Sequence, residues 1–213
     1  MPGTGEIAAL IQDLSSDSRP IRERAAKQIY GRGCELARAA MSAWIADSEL
    51  TRYFVLGDRG LPRMTVGIAV NPDEFERVQS ANGSPRLAEV PPDQDAKEFE
   101  LHFEGGVSLD ILTTRAPEGS GAIARYLQKQ GAGIQQVEIL VNDVDRATEM
   151  LRERFGLASV YPATRPGADG TRVNFFFVPV RSQKVLIEFV ESLADSADAA
   201  TKSDSSDRKR SSE

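Results

Sequence analysis

Two residue types are nearly absent from this 213-residue chain, which has one cysteine, Cys34, and one histidine, His102. A single cysteine excludes a disulfide within the chain and a cysteine cluster for zinc or an iron–sulfur centre. A single histidine excludes every site that needs two imidazoles from one chain. The sequence therefore leaves most of any chemistry to carboxylates, amides and hydroxyls.

The chain also lacks an excess of positive charge and any long apolar run. It has 26 Lys and Arg against 32 Asp and Glu, a formal net charge of −6, which argues against nucleic acid or an anionic membrane as the main partner. Its apolar runs are far shorter than the roughly 20 residues of a membrane helix, and the first residues do not have the pattern of a secretory signal. We therefore expect a cytoplasmic protein with neither a nucleic-acid nor a membrane partner.

The pattern of apolar residues divides the chain into three parts. The apolar residues of residues 1–60 have helical spacing, which predicts a helical N-terminal extension. Gly31 and Gly33 interrupt this spacing and predict a break between two helical segments. Residues 61–191 alternate strand and helix signals. Residues 192–213 are rich in serine and mixed charge with one leucine and no aromatic residue, which predicts a disordered tail.

The middle part repeats itself. The string at 68–71, Ile-Ala-Val-Asn, precedes a helix, and Ile-Leu-Val-Asn at 139–142 does the same in the second half. The two halves span residues 61–115 and 134–191, and a helix joins one half to the other. Each half consists of a strand, a helix and then two or three strands. The predicted fold is therefore α+β, with paired β-α-β-β-β modules that form a concave mixed sheet and follow an N-terminal helical hairpin.

Strand alternation collects polar residues on one face of this sheet. Glu98, Glu100 and His102 share one strand face, which suits a solvated surface as well as a site. For Asp110 and Glu188 we favour a polar cavity that both side chains line over an ordinary surface position. Glu188 stands between apolar neighbours on its strand face, and burying a carboxylate there is costly unless it is paired, protonated or metal-bound.

Several strings carry a family resemblance. IARYLQKQGAGIQQVEILVNDVDRA, RPGADGTRVNFFFVP and VLIEFVE resemble the second half of the vicinal oxygen chelate superfamily, which contains glyoxalases and ring-cleaving dioxygenases. VGIAVNPDEF and VSLDIL extend the resemblance to the first half, so that it spans about 130 of the 213 residues. Within the superfamily, the chain is most similar to the methylmalonyl-CoA epimerases.

The resemblance implies a divalent metal held by four side chains, two from each half. By position these are Thr65, Asp110, Gln136 and Glu188, but the family has histidine where this chain has Thr65 and Gln136. What remains would be a weak all-oxygen site of Asp110, Gln136 and Glu188, suited to Mg²⁺, Mn²⁺ or Ca²⁺ rather than zinc. We expect either no cofactor or one such weakly bound cation.

The epimerase reaction removes the proton next to a thioester carbonyl and returns it on the opposite face, which needs two acid/base groups. The resemblance places this pair at Glu100 and Glu188. We take His102, Gln136 and Arg165 as candidate substrate-binding residues, since the turn at Arg165 borders the mouth of the family's active site.

Three functional hypotheses follow. The first is a degenerate metal site whose cavity binds a small acidic or acyl ligand, or a protein partner, without metal-dependent catalysis. The second is an active epimerase-like or glyoxalase-like enzyme that uses carboxylates and a hard divalent cation. The third is a regulatory scaffold built on the N-terminal helices. We expect a homodimer, and the sequence leaves open whether the two halves pair within one chain or across the dimer.

Overall fold

The computed structural model describes residues 4–57, 60–180 and 183–192. Nearly all of the predicted disordered tail, from residue 193 onward, lies outside the described residues. The described chain is a curved seven-stranded sheet with helices packed against it. No helix in this part of the chain is both long and apolar enough to cross a membrane.

The α-helices of the described residues lie in two groups, four before the sheet and three connecting its strands. Those before the sheet are α1 (Thr4–Asp13), α2 (Arg19–Ala40), α3 (Ser42–Ile45) and α4 (Ser48–Thr51). Those within it are α5 (Pro72–Ala81), α6 (Ala122–Gln130) and α7 (Val144–Phe155).

The strands form two modules that meet at the centre of the sheet. The first module contains β1 (Met64–Ala69), β2 (Ala96–Phe103) and β3 (Val107–Thr114). The second contains β4 (Gly133–Leu140), the short β5 (Arg165–Pro166), β6 (Arg172–Val180) and β7 (Gln183–Glu191).

The strand order β2-β3-β1-β4-β7-β6-β5 shows how the modules are related. In each module the first strand runs parallel to the last, β1 to β3 and β4 to β7, and the last strand is paired with its hairpin partner, β2 or β6. The two first strands, β1 and β4, are antiparallel neighbours at the centre. This mirrored order confirms the predicted α+β fold with paired modules and a preceding helical hairpin.

The convex face of the sheet carries the main hydrophobic core. Phe99, Ile111, Ile139 and Phe189 alternate inward along β2, β3, β4 and β7 and are fully buried. The helices α1, α2, α5 and α7 cover this face, and the apolar residues of α1 and α2 belong to the same core as the sheet. The N-terminal helices therefore complete the core of the sheet that bears the site.

The predicted helix break at Gly31 and Gly33 is wrong, because α2 runs unbroken through both glycines. A Cβ atom at Gly33 would lie 2.4 Å from a methyl carbon of Val66, whereas one at Gly31 would meet nothing within 4 Å. Gly33 therefore lets the helix backbone lie close against β1. This packing requirement overrides the low helix propensity of glycine.

A second, smaller apolar cluster lies at one end of the concave face. There Ile123 of α6 packs with Ala69 and Leu112, which point away from the main core, and Ala168 packs against the cluster. The concave face is therefore closed at this end by α6 and by the loop that follows β5.

Two loops, one from each module, are joined across the concave side, and we call their contacts the interloop clasp. Asp169 accepts hydrogen bonds from both terminal nitrogens of Arg86, at 3.0 and 2.7 Å, and from the backbone N–H of Glu89 at 2.9 Å. Its own N–H donates to the Glu89 carbonyl at 3.1 Å. The remaining contacts are Gln94 Nε2 donating to the Pro166 carbonyl at 2.8 Å and an ion pair between Arg165 and Asp93.

Candidate functional site

Strand pairing brings most of the predicted metal positions to the middle of the concave face. Two adjoining rows of paired residues cross the sheet there. One row is Glu100, Asp110, Gly67 and Gln136, and the other is Thr65, Glu138, Glu188 and Phe175. Thr65, Asp110, Gln136 and Glu188 therefore lie on neighbouring strands, with Glu138 among them.

Gly67 leaves room for the central side chain of the site. A Cβ atom at this position would lie 2.6 Å from Cγ of Gln136, so the Gln136 side chain lies directly over the backbone of β1. Strand β4 has an extra residue next to it, because Gly67 pairs with Gln136 while Ile68 pairs with Ile134. This bulge at Gln135 keeps Gln136 on the concave face and Ile134 on the opposite face, as bulges beside functional sites do.

The amide of Gln136 joins two carboxyl groups. Its Nε2 donates to Oε2 of Glu188 at 2.5 Å and to Oε1 of Glu138 at 3.2 Å. Gln136 and Glu188 are both 7% exposed, and Asp110 is 5% exposed. The centre of the concave face is therefore a buried polar network of one amide and three carboxyl groups.

These carboxyl groups retain protons at unusually high pH. Burial, reinforced by the charge of neighbouring carboxylates, raises the pKa of Glu138 to about 8 and that of Glu98 to about 7. The same causes raise the pKa values of Asp110 and Glu188 well above the ordinary range. Asp110 Oδ1 is buried and has no hydrogen-bond partner.

The residues at the centre do not fit the metal of the resembled family. Both histidine positions are filled by weak ligands, and the Gln136 amide directs its N–H groups at two of the carboxyl groups that would bind the ion. Within the described ranges, no group of three or more His, Cys, Asp or Glu side chains is arranged to hold a metal ion.

The wall of the concave face that belongs to the second module is apolar. Phe175 pairs with Glu188, and Phe177, which is 50% exposed, pairs with Leu186. The ring of Tyr161 packs edge to face against that of Phe175, with the two ring centroids 5.9 Å apart. The guanidinium carbon of Arg165 lies over the Tyr161 ring, 4.5 Å from its centroid. The structure thus places Arg165 at the rim of this wall and apart from the central carboxyl groups.

The wall of the first module is polar. His102 and Glu100 lie on the edge strand β2, where His102 Nε2 is 3.0 Å from Oε2 of Glu100. Glu188 lies on β7, with three strands between β2 and β7. The two carboxyl groups proposed as an acid/base pair thus have different immediate partners, Glu100 with His102 and Glu188 with Gln136.

Sequence reasoning missed two participants. Glu138 occupies the same strand face as Gln136, so alternation alone placed it there, but the family pattern assigned it no role. Ser108 lies opposite His102 in the β2–β3 pair, with its Oγ 3.2 Å from Nδ1 of His102. The register of that pair follows from the three-residue turn between Phe103 and Val107, which the assignment of strand faces alone did not use.

Comparison with known proteins finds matches among solved structures. No family model matches the chain, and no curated protein matches it. Methylmalonyl-CoA epimerase from Mycobacterium tuberculosis is 33% identical over 60% of this chain and 85% of that chain, with a TM-score of 0.49.

Two other solved structures superpose similarly. A hypothetical protein from Bacillus halodurans is 27% identical, with a TM-score of 0.50, over 60% of this chain and 91% of its own. A methylmalonyl-CoA epimerase in complex with methylmalonyl-CoA and NH4+ is 25% identical, with a TM-score of 0.50, over 63% of this chain and 96% of its own. The alignments cover about the length of the two modules.

Proposed function

We propose that this chain, which belongs by its fold to the vicinal oxygen chelate superfamily, binds a small acyl ligand on its concave face without a catalytic metal. The observation that carries the proposal is the Gln136 amide, which donates to both Glu188 and Glu138 where the resembled family places a metal-binding imidazole. In this proposal the site lies where the resembled family has its metal site, but hydrogen-bond donors polarise the ligand's carbonyl group in place of a metal ion.

The protonation of the carboxyl groups supports an acyl ligand. A carboxylic acid that stays neutral near pH 7 donates a hydrogen bond and can stabilise charge on a carbonyl oxygen. The raised pKa values of Asp110, Glu138 and Glu188 give the site three such groups. The apolar wall around Phe175 supports the burial of a carbon chain or planar group.

The metal part of the proposal is tested by putting the two histidines back. We expect the double variant Thr65→His with Gln136→His to bind Co²⁺ or Mn²⁺ at least about 100-fold more tightly than the wild type in titration calorimetry, because imidazole is a far stronger ligand than an amide or a hydroxyl. Cobalt binding also gives a visible absorption spectrum that reports the ligands. Stoichiometric metal in the purified wild type would contradict the proposal.

The ligand part is tested separately by thermal shift with acyl thioesters. Acetyl-CoA, propionyl-CoA and methylmalonyl-CoA are compared with coenzyme A alone, and a Tm increase for the acyl forms is expected. The variant Gln136→Leu removes the amide and should abolish the increase, whereas Gln12→Leu on α1 is the matched control. No difference between acyl thioesters and free coenzyme A would refute an acyl ligand.

A second candidate function is the epimerase-like exchange of a proton next to a thioester carbonyl. It is favoured by the two oppositely placed carboxyl groups, Glu100 on β2 and Glu188 on β7, and by the epimerases among the structural neighbours. Incubation of methylmalonyl-CoA with the protein in D₂O would introduce deuterium at the α carbon, and Glu188→Gln would suppress it. Absence of exchange in the wild type eliminates this candidate.

The expectations of a homodimer and of a cytoplasmic location stay predictions, as does that of a protein partner for the concave face. Light scattering on the purified protein distinguishes a 23.2 kDa protomer from a dimer of twice that mass. A protein partner that binds the concave face would compete with acyl thioesters for it and would reduce their effect on the Tm.

A further inference from the structure

A second group of reactive side chains lies on the polar wall, apart from the central carboxyl network. Ser108 Oγ is 3.2 Å from Nδ1 of His102, and Nε2 of His102 is 3.0 Å from Oε2 of Glu100. These three side chains form an unbroken hydrogen-bonded chain of serine, imidazole and carboxylate. A nucleophile within reach of a base, with the base oriented by a third group, is the geometric signature of an activated serine.

The sheet fixes this geometry. His102 and Ser108 are direct cross-strand partners in the β2–β3 pair, and Glu100 lies two residues before His102 on the same strand face. All three side chains therefore project from the backbone of a regular hairpin. This hairpin packs on the main core through Phe99, Leu101 and Leu109.

The hydrogen-bonding capacities of the three groups determine the position of each proton. An ionised carboxylate only accepts hydrogen bonds, so the Nε2 atom of a neutral His102 holds its proton and donates to Glu100. Nδ1 then has a free lone pair, and Ser108 must be the donor in the remaining contact. This is the tautomer that a general base needs to take the proton from a serine hydroxyl.

Thr65 adds a hydroxyl donor next to the hydrogen-bonded serine, imidazole and carboxylate. Its Oγ1 donates to Oγ of Ser108 at 3.4 Å, so the Thr65 hydroxyl lies next to the atom that would attack. The imidazole and carboxylate are open to solvent, with 69% of the His102 side chain and 53% of the Glu100 side chain exposed. A substrate can therefore reach these side chains without any movement of the buried carboxyl network.

We infer that Ser108 is a nucleophile activated by His102, and that Ser108, His102 and Glu100 form an acyl-transfer site for activated esters or thioesters. The inference goes beyond the proposed function, since it rests on Ser108 and His102 and adds a covalent step. Glu100 acts here as a positioning residue, because its side chain contacts the imidazole of His102.

The reaction balances with water as the second substrate. Ser108 Oγ forms a bond to the carbonyl carbon while its proton moves to His102 Nδ1, and the Thr65 hydroxyl can donate to the oxygen that becomes negative. The bond to the leaving alcohol or thiol then breaks, and that group takes the proton from His102. Water next attacks the acyl-serine with His102 as base, which releases a carboxylic acid and restores Ser108.

The direct test is covalent labelling of the full-length protein with a fluorophosphonate, which forms a phosphorus–oxygen bond with an activated serine and releases fluoride. Peptide mass spectrometry should find the label on Ser108. The variant Ser108→Ala should lose it, while Ser42→Ala, which removes an exposed serine on α3, should leave it unchanged. Labelling at Ser108 no faster than at Ser42 would overturn the inference.

The role of the base is tested by His102→Gln, which should slow both labelling and the hydrolysis of p-nitrophenyl acetate by about 100-fold, the usual contribution of a general base. Glu100→Gln should reduce the rate less, and Glu100→Asp should restore part of it. Circular dichroism checks that each variant is folded. An unchanged labelling rate in folded His102→Gln would refute activation of Ser108. The thermal-shift experiment with acyl thioesters reports on Gln136, which the acyl-transfer site does not use, so either proposal can fail alone.

Discussion

The two modules of this protein have matching convex faces and unlike concave faces. On the convex side both supply fully buried apolar residues to one core, such as Ile111 and Phe99 in the first and Phe189 in the second. On the concave side both modules contribute to the central carboxyl network. Beyond it, the first module presents the polar residues Glu98, His102 and Ser108, whereas β6 of the second presents Phe175 and Phe177. A face that packs against helices is constrained in its residue types, whereas most of the concave face is free of that constraint.

The largest effects should come from the convex faces and should be similar in the two modules. We expect Phe99→Ala and Phe189→Ala each to lower the free energy of unfolding by about 3–5 kcal/mol, because each leaves a cavity in the same core. Urea denaturation measures this. The matched control is Phe177→Ala on the concave side, which should cost far less. A cost below about 1 kcal/mol at either core position would break the comparison.

The buried carboxyl groups from both modules should make stability depend on pH. Their folded-state pKa values are raised, to about 8 for Glu138 and about 7 for Glu98, so the folded protein holds protons that the unfolded chain has lost. Stability is therefore fully present below the unfolded values, about 4.3 for Glu, and falls as the pH rises toward 7 or 8. Each retained proton contributes about 1.4 kcal/mol per pH unit.

Two variants separate the contributions of the modules to this slope. Glu138→Gln should flatten the fall in unfolding free energy up to about pH 8, and Glu98→Gln up to about pH 7, in urea denaturation at each pH. The exposed Glu104→Gln is a matched loss of one charge. Stability that rises between pH 5 and pH 8 would show that these groups are ionised in the folded state.

Helix α2 contacts β1, a central strand of the sheet, at one very close point. Gly33→Ala should lower the free energy of unfolding by about 1–3 kcal/mol, because its Cβ would lie 2.4 Å from Val66. Gly31→Ala, two residues away with nothing within 4 Å, should raise it by up to about 1 kcal/mol through helix propensity. Thermal denaturation of the pair measures the difference, and equal effects would refute the close approach.

The smallest effect is expected from the clasp that joins the modules. Asp169→Asn should lower the free energy of unfolding by about 0.2–1 kcal/mol, because it weakens an exposed ion pair with Arg86. Asparagine tolerates the left-handed backbone at this position, where φ is 51°. The pKa of Glu98 should also fall, since the negative charge of Asp169 raises it. Carbon-13 NMR titration of Glu98 checks this direction.

The fold was predictable because its signals are local. Alternating apolar residues defined the strands, the repeated strings at 68–71 and 139–142 defined the modules, and the two strand faces followed from the alternation. The error at Gly31 and Gly33 has a tertiary cause, since the reason for Gly33 is the side chain of Val66 on a strand that follows much later in the chain.

The candidate site was predictable in its position and less so in its chemistry. The family pattern grouped Asp110, Gln136 and Glu188, and strand pairing brings these three residues to the centre of the concave face. The hydrogen bond from Gln136 to Glu138, and the contact between Ser108 and His102, depend on strand register and on the bulge at Gln135. The register of the β2–β3 hairpin follows from its three-residue turn. The register of β1 with β4, and the bulge in it, depend on strands that are far apart in the sequence, so no short string encodes them.

The interloop clasp restricts how a protein of this design can evolve. Surface loops usually tolerate insertions and deletions, and changes of loop length are a common route to new specificity. Here the loops before β2 and after β5 hold each other through Asp169, Arg86 and Glu89, so a change of length in one breaks the fit of the other. New ligand preferences would arise instead through point substitutions on the strands, where a single side chain can change and the backbone stays in place.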